Sequence, residues 1–395
     1  MTRRPSLWLA DFRARPRSER LILVLLAVAL VSGIGIIGGA TVRFALTGES
    51  LGDLATYVRA ARALGAGQSP YDLSAINAPS YNEAIYRYPP VLASLLVPLA
   101  WAPFTLTGLA YSAALFGSLV AGLALASAAG GWAPTRLRLG ALGAVCLWFT
   151  PVWGMLWATN TEGFQVLALG ISLYAGSGLI RGAASAIGPW LKVAPVLVLP
   201  ALLVRHGPRG LAGLAVASAV LVLPSLWLAP HAWADLVPVL NATAGGGLDI
   251  GWNLSPVAMA HAAGLSALEF PLRLALWIGA GALVGASIIV ARKPDGWPAA
   301  LACATAASLL LPTILWEHYL IVLLPFAAVA FPRASPRART ALAYTVLLLA
   351  VADFLEGREL VFVAAALFTA LVIRDLWPRG AQSEPRPQQP VAETL

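Results

Sequence analysis

Leu21-Ile22-Leu23-Val24-Leu25-Leu26-Ala27-Val28-Ala29-Leu30 opens an apolar run that continues to Val42, and its length decides the fold class. A helix needs about 20 apolar residues to cross the hydrocarbon layer of a bilayer. Further apolar runs of similar character fall at roughly 90–128, 139–158, 162–180, 184–204, 211–229, 272–291, 298–312, 314–332, 339–355 and 358–376. Only 11% of the 395 residues are charged and 59% are hydrophobic, too little charge to coat a water-soluble globule. The expectation is an all-α polytopic membrane protein with about 11–13 transmembrane helices and external juxtamembrane helices.

The net charge of +8 does not point to nucleic acid. Its arginines fall in short clusters between apolar runs, the pattern of cytoplasmic loops. Arg3, Arg4, Arg13, Arg15, Arg17 and Arg20 precede the first run, which is too long for the apolar core of a signal peptide. A retained first helix with its N-terminus inside is expected. Residues 1–20 then form a cytoplasmic segment, 21–378 a single transmembrane domain and 379–395 a disordered cytoplasmic tail. Cys146 and Cys303 lie inside apolar runs and read as small hydrophobes.

Charge parity places 43–89 and 230–271 outside the cell membrane. Pro98 and Pro103 split 90–128 into one span and a shorter re-entrant or interfacial piece. Placing both Arg181 and Arg205 inside makes 184–204 turn back on its own side, with Lys192 and Pro195 near the turn. Residues 50–66 read as an amphipathic helix lying on the outer leaflet, with Leu54, Val58, Ala61 and Leu64 on one face. Asp53, Asn160, Lys192 and the Trp316-Glu317-His318 stretch then gather towards one rim.

Each polar landmark has a structural and a chemical reading. Asp53 suits the first turn of a helix, where the dipole stabilises a carboxylate, or the role of a general base. Lys192, one of two lysines, either snorkels to an interface or contacts a phosphate. Glu317 and His318 form a helix-end polar pair or bind substrate. No metal-ligand spacing such as His-Glu-x-x-His occurs, so no metal site is assigned; a divalent metal and any other cofactor are left open. Asn160 and Glu162 suit a helix start. Arg59, Arg62 and Arg87 are surface charges or, with Lys192, a cradle for an anionic headgroup. The main alternative to an enzyme is a transporter or lipid flippase, which predicts inverted repeats; no internal repeat is visible.

In order along the chain, several motifs resemble glycosyltransferase family 87, of the membrane-embedded GT-C type. They are Asp53-x-x-x-Tyr57, Gly67-x-x-Pro70-Tyr71, Tyr88-Pro89-Pro90, Leu191-Lys192-x-x-Pro195, Gly251-x-Asn253-x-Ser255 and Trp316-Glu317-His318. Thr159-Asn160-Thr161-Glu162 stands where the family pattern has Gly-Gln-x-Asn, a departure. The resemblance implies a cell-envelope enzyme that uses a polyprenyl-phosphate sugar donor and a lipid or glycan acceptor. The sugar is commonly mannose, as in phosphatidylinositol mannoside assembly. It implies inverting transfer on the extracytoplasmic side, with Asp53 as general base. Lys192, His318, Glu317, Arg59, Tyr57, Asn160, Asn253 and Tyr88 are the implied substrate- or donor-binding residues.

Overall fold

The computed structural model describes residues 16–47, 52–74, 85–133, 135–243, 246–354 and 357–378. Residues 1–15, most of the expected cytoplasmic segment, and the expected tail at 379–395 lie outside the described residues. Sixteen α-helices carry the described chain. They are α1 (Arg17–Thr47), α2 (Gly52–Gly65), α3 (Pro90–Leu96), α4 (Phe104–Ala129), α5 (Arg136–Trp148), α6 (Thr150–Ala158), α7 (Glu162–Tyr174) and α8 (Gly178–Leu191). There follow α9 (Leu199–Leu228), α10 (Ala232–Thr243), α11 (Pro256–Ala262), α12 (Glu269–Ala291), α13 (Trp297–Leu310), α14 (Leu324–Arg333), α15 (Pro336–Phe354) and α16 (Arg358–Leu376). The all-α membrane class expected from the apolar runs is the class observed.

Among the described residues, few single helices are long and apolar enough by themselves to span a bilayer. Three described stretches, Phe104–Ala129, Ala194–Leu228 and Ser266–Ala291, are long and apolar enough to cross a bilayer. A fourth follows if α5 and α6, bent by 73°, act as one. Proline and glycine shorten several of the apolar runs. Pro103 precedes α4, Pro151 opens α6, Pro195 starts a 3₁₀ turn, and Gly207 (φ 52°, ψ −140°) interrupts α9. Proline removes an N–H donor and clashes with the preceding turn, so apolar runs that look continuous become shorter helices.

The chain reverses between Leu191 and Leu199, as the charge pattern requires. Lys192 is extended (φ −146°, ψ 131°), and a 3₁₀ turn at Ala194–Val198 follows. Residues 199–206, the first part of α9, run back along α8 until the Arg181 guanidinium lies 3.4 Å from the His206 ring. Beyond Gly207 the chain turns again and runs beside α8 in the same direction, with Trp190 donating to the Ser218 hydroxyl at 2.8 Å. Arg205 donates to the Lys293 carbonyl at 2.8 Å, and Lys293 lies over the Trp377 ring. These bases therefore share one pole of the bundle. α7 runs towards that pole: Tyr174, next to Ala175, whose carbonyl accepts from Arg181, ends the helix that Glu162 begins. Thirteen helical residues separate the two ends by about 20 Å.

Close backbone approach locks α7 beside α4. A Cβ added to Gly170 would stand 2.7 Å from the Gly122 Cα, so only glycine fits there. α2 departs from the expected membrane-surface helix. Its face of Leu54, Tyr57, Val58, Ala61 and Leu64 is buried against α3 and the Val97–Leu99 turn. The stripe finds protein because the Tyr-Pro-Pro segment and α3 fold over it, removing the same apolar area from water that lipid would have covered.

Candidate active site

The N-terminus of α2 is set against the end of α6. Gly52 (φ 36°) lies so close to Ala158 that a Cβ would stand 2.7 Å from its carbonyl oxygen. The next contact is specific: the Leu54 N–H donates to Thr159 Oγ1 at 3.0 Å. Thr159 thus satisfies one of the first-turn donors that a helix leaves open. It does so in the left-handed region (φ 53°), an outlying conformation for a β-branched residue.

This junction holds Asp53 half-buried in the first turn of α2. Three donors converge on its Oδ2: Asn160 Nδ2 at 2.9 Å, the Tyr57 hydroxyl at 3.1 Å and the Tyr88 hydroxyl at 3.2 Å. The Tyr57 and Tyr88 rings meet edge to face, with centroids 5.3 Å apart. Tyr88 is held in turn by Tyr71, whose hydroxyl donates to the Tyr88 carbonyl at 2.7 Å. Tyr86 braces the following prolines by donating to the Pro89 carbonyl at 2.7 Å. Burial pushes the Asp53 carboxyl above the ordinary carboxylate range, against the opposing charge of Lys192.

Asn160 connects two halves of the site. Its Oδ1 accepts the Thr161 N–H at 2.8 Å, which turns Nδ2 towards Asp53 and, at 3.3 Å, towards His318 Nε2. Donation from Asn160 makes Nε2 the acceptor nitrogen, so the imidazole proton sits on Nδ1, 3.5 Å from Glu317 Oε1. The Trp316 ring lies nearly parallel to the imidazole, 12° apart in plane and 6.2 Å between centroids.

Lys192 stands in the break between α8 and the 3₁₀ turn. It forms an ion pair with Glu162, the first residue of α7, and lies 3.4 Å from the centre of the Tyr319 ring. Both charged residues line a cleft with about 770 Å³ of empty space, partly open to the outside. Gln165, Ala168 and Ser172 of α7, with Ala304 and Ser308 of α13, continue its wall. Among the described residues, no three of His, Cys, Asp and Glu converge to hold a metal ion.

Of the sequence candidates, Asp53, Tyr57, Tyr88, Asn160, Glu317, His318 and Lys192 come together. Arg59 is exposed on α2 and bonds the Thr56 hydroxyl at 3.2 Å. Asn253 is completely buried and braces two loops instead. Its Nδ2 donates to the Gly247 and Thr313 carbonyls, and its Oδ1 accepts from the Ser255 and Leu315 N–H groups. Sequence reasoning did not single out Tyr71, Tyr86 or Tyr319 as site residues. The spacing Tyr86-x-Tyr88-Pro89-Pro90 was a signal for Tyr86, since a buried phenol beside proline carbonyls has acceptors to hand.

The pattern of glycosyltransferase family 87 matches residues 86–315, more than half of the chain. The chain belongs to glycosyltransferase family 87. It is therefore a glycosyltransferase, with a sugar donor and an acceptor as substrates. Among curated proteins none matches it. The matched residues of this family 87 member begin just before Tyr88 and stop one residue short of Trp316. Asp53 and His318 lie outside them and join Asn160 only through the fold.

Proposed function

We propose that this glycosyltransferase moves a sugar, mannose in the favoured case, from a polyprenyl-phosphate donor to a hydroxyl of a lipid or glycan acceptor. Transfer takes place on the outer side of the cell membrane in a GT-C-type bundle, and it inverts the anomeric centre. The observation that carries this is the convergence of Tyr57, Tyr88 and Asn160 on one oxygen of Asp53. Three donors fix the carboxylate and draw charge to Oδ2. Among the described residues no hydrogen bond ends on Oδ1, which suits it to receive the acceptor proton.

In this mechanism the acceptor hydroxyl gives its proton to Asp53 as its oxygen bonds the anomeric carbon from one face. The bond from that carbon to the phosphate oxygen breaks on the other face, and its electron pair leaves with the polyprenyl phosphate. The leaving phosphate is already ionised and needs no proton. Lys192 supplies the compensating positive charge and His318 a hydrogen-bonding ring beside it. The raised Asp53 pKa favours this role, because a more basic carboxylate is the better proton acceptor.

The test is transfer by purified full-length protein in detergent, with radiolabelled polyprenyl-phosphate-mannose and a membrane lipid extract as acceptor. Labelled glycolipid is expected from the wild type and not from Asp53→Asn. Failure to transfer from any polyprenyl-phosphate sugar would sink the proposal and favour a transport role.

A further inference from the structure

Glu162 poses a problem that its position at a helix start does not explain. It is an acidic side chain only 1% exposed. An isolated carboxylate in such surroundings is costly, and cost of that size is met by pairing. Its partner is Lys192, reached across 30 residues because the chain turns back after α8. The second oxygen, Oε2, is buried and has no hydrogen-bond partner. The pair is thus built more deeply than stability alone requires, since two apolar side chains of similar volume would fill the space at no greater cost.

The geometry around Lys192 limits what the ammonium can do. One of its three N–H groups is taken by Glu162, and the Tyr319 ring lies beneath it. The backbone of Lys192 is extended between two helical segments, so without a tether the long side chain has many rotamers to choose from. Asp53 and Lys192 feel each other's charge, and His318 packs edge to face on the Tyr319 ring beside which the ammonium lies.

We propose that Glu162 is a positioning residue for the donor phosphate: it anchors Lys192 over Tyr319 so that the remaining N–H groups of the ammonium face the ligand. This rests on the phosphate-linked donor proposed above. Glu162 does not leave Lys192 when the ligand arrives, because displacement would strand a buried carboxylate. The lysine is shared between an internal anion and the ligand anion, and the internal one sets its place. The carboxylate also keeps the ammonium protonated in a site poor in water.

The experiment is a double-mutant cycle read by binding. Full-length wild type, Glu162→Gln, Lys192→Met and the double variant are titrated in detergent with geranyl phosphate, a soluble short prenyl phosphate. Glu162→Gln is expected to weaken binding about tenfold, the scale of one charge-assisted hydrogen bond. In the Lys192→Met background the same change is expected to do nothing further, because its effect passes through the lysine. Glu162→Asp, which keeps the charge on a shorter stem, is expected to restore part of the affinity. Binding to Glu162→Gln is also expected to weaken with rising pH across a range where wild-type binding is flat.

Equal losses from Glu162→Gln in both backgrounds would overturn the proposal and make the carboxylate a packing element. Tighter binding by Glu162→Gln would also overturn it, by showing that the carboxylate competes with the ligand. Wild-type binding with the expected cycle but no sugar transfer would leave the tether standing and sink the transferase mechanism instead. Absence of geranyl phosphate binding by the wild type would overturn both.

Discussion

Asn160 and Asp53 are 107 residues apart in the chain and 2.9 Å apart in the fold, joined by a hydrogen bond from the amide to Oδ2. The same amide nitrogen lies 3.3 Å from His318, so one side chain holds the proposed base and the proposed leaving-group contact in register. Removing it is expected to disturb both. Asn160→Ala should lower the transfer rate by about tenfold or more, because two reacting groups lose their relative placement. It also withdraws a donor from the ionised carboxylate, which raises the Asp53 pKa further. The acid limb of kcat/KM is therefore expected to move to higher pH than in the wild type. An unchanged profile would show that the amide does not act on Asp53.

Asp53→Asn keeps the shape of the side chain and removes its basicity. Loss of transfer by roughly 10²- to 10⁴-fold is expected, with thermal stability close to that of the wild type. Residual activity above a tenth of the wild-type rate would remove Asp53 from the role of base.

The pH dependence of the wild type follows from the burial of Asp53. Its carboxyl is held above the ordinary range, and the base works only when ionised. Activity is present above the raised pKa and is lost as pH falls through it. The acid limb of kcat/KM should thus lie above the usual aspartate value of about 4. A limb at or below that value would contradict the burial argument.

Thr159 offers a stability test at the edge of the site. Its hydroxyl caps Leu54, and its backbone occupies the left-handed region. Thr159→Val keeps the branched side chain and strands a buried N–H, an expected cost of about 1–3 kcal/mol. Thr159→Gly loses the same bond but relieves the backbone, so it is expected to melt at a higher temperature than Thr159→Val. The reverse order would mean that the cap counts for little.

Asn253 separates support from substrate contact. Its four backbone hydrogen bonds tie 246–255 to 313–315, just ahead of Trp316 and His318. Asn253→Ala should cost about 3 kcal/mol by leaving buried groups unpaired, seen as a lower melting temperature and yield. The KM for donor in the protein that remains folded is expected to change by less than about threefold. A large rise in KM without destabilisation would restore the donor-binding role read from its motif.

The all-α membrane class was legible in the Leu21–Val42 run and its successors, because burial in lipid depends on local composition. The break at Pro98 and Pro103 and the reversal at Lys192 were legible for the same reason: proline and unpaired charge act where they stand. The lengths of the individual helices were less legible, since an apolar run records lipid compatibility and not helical continuity. The motif order picked out most of the residues that meet. It also drew in Asn253, whose amide is used by the backbone.

By itself the sequence determined that this chain is helical, lives in a bilayer and carries the motif order of a sugar-transferring family. The tertiary structure alone decided that Asn160 bridges Asp53 and His318, that Glu162 holds Lys192, and that Asn253 braces loops. Apolar patterning is a property of neighbours along the chain. Those contacts depend on the register between helices, which Gly122 and Gly170 set by letting two backbones touch and which no single segment encodes.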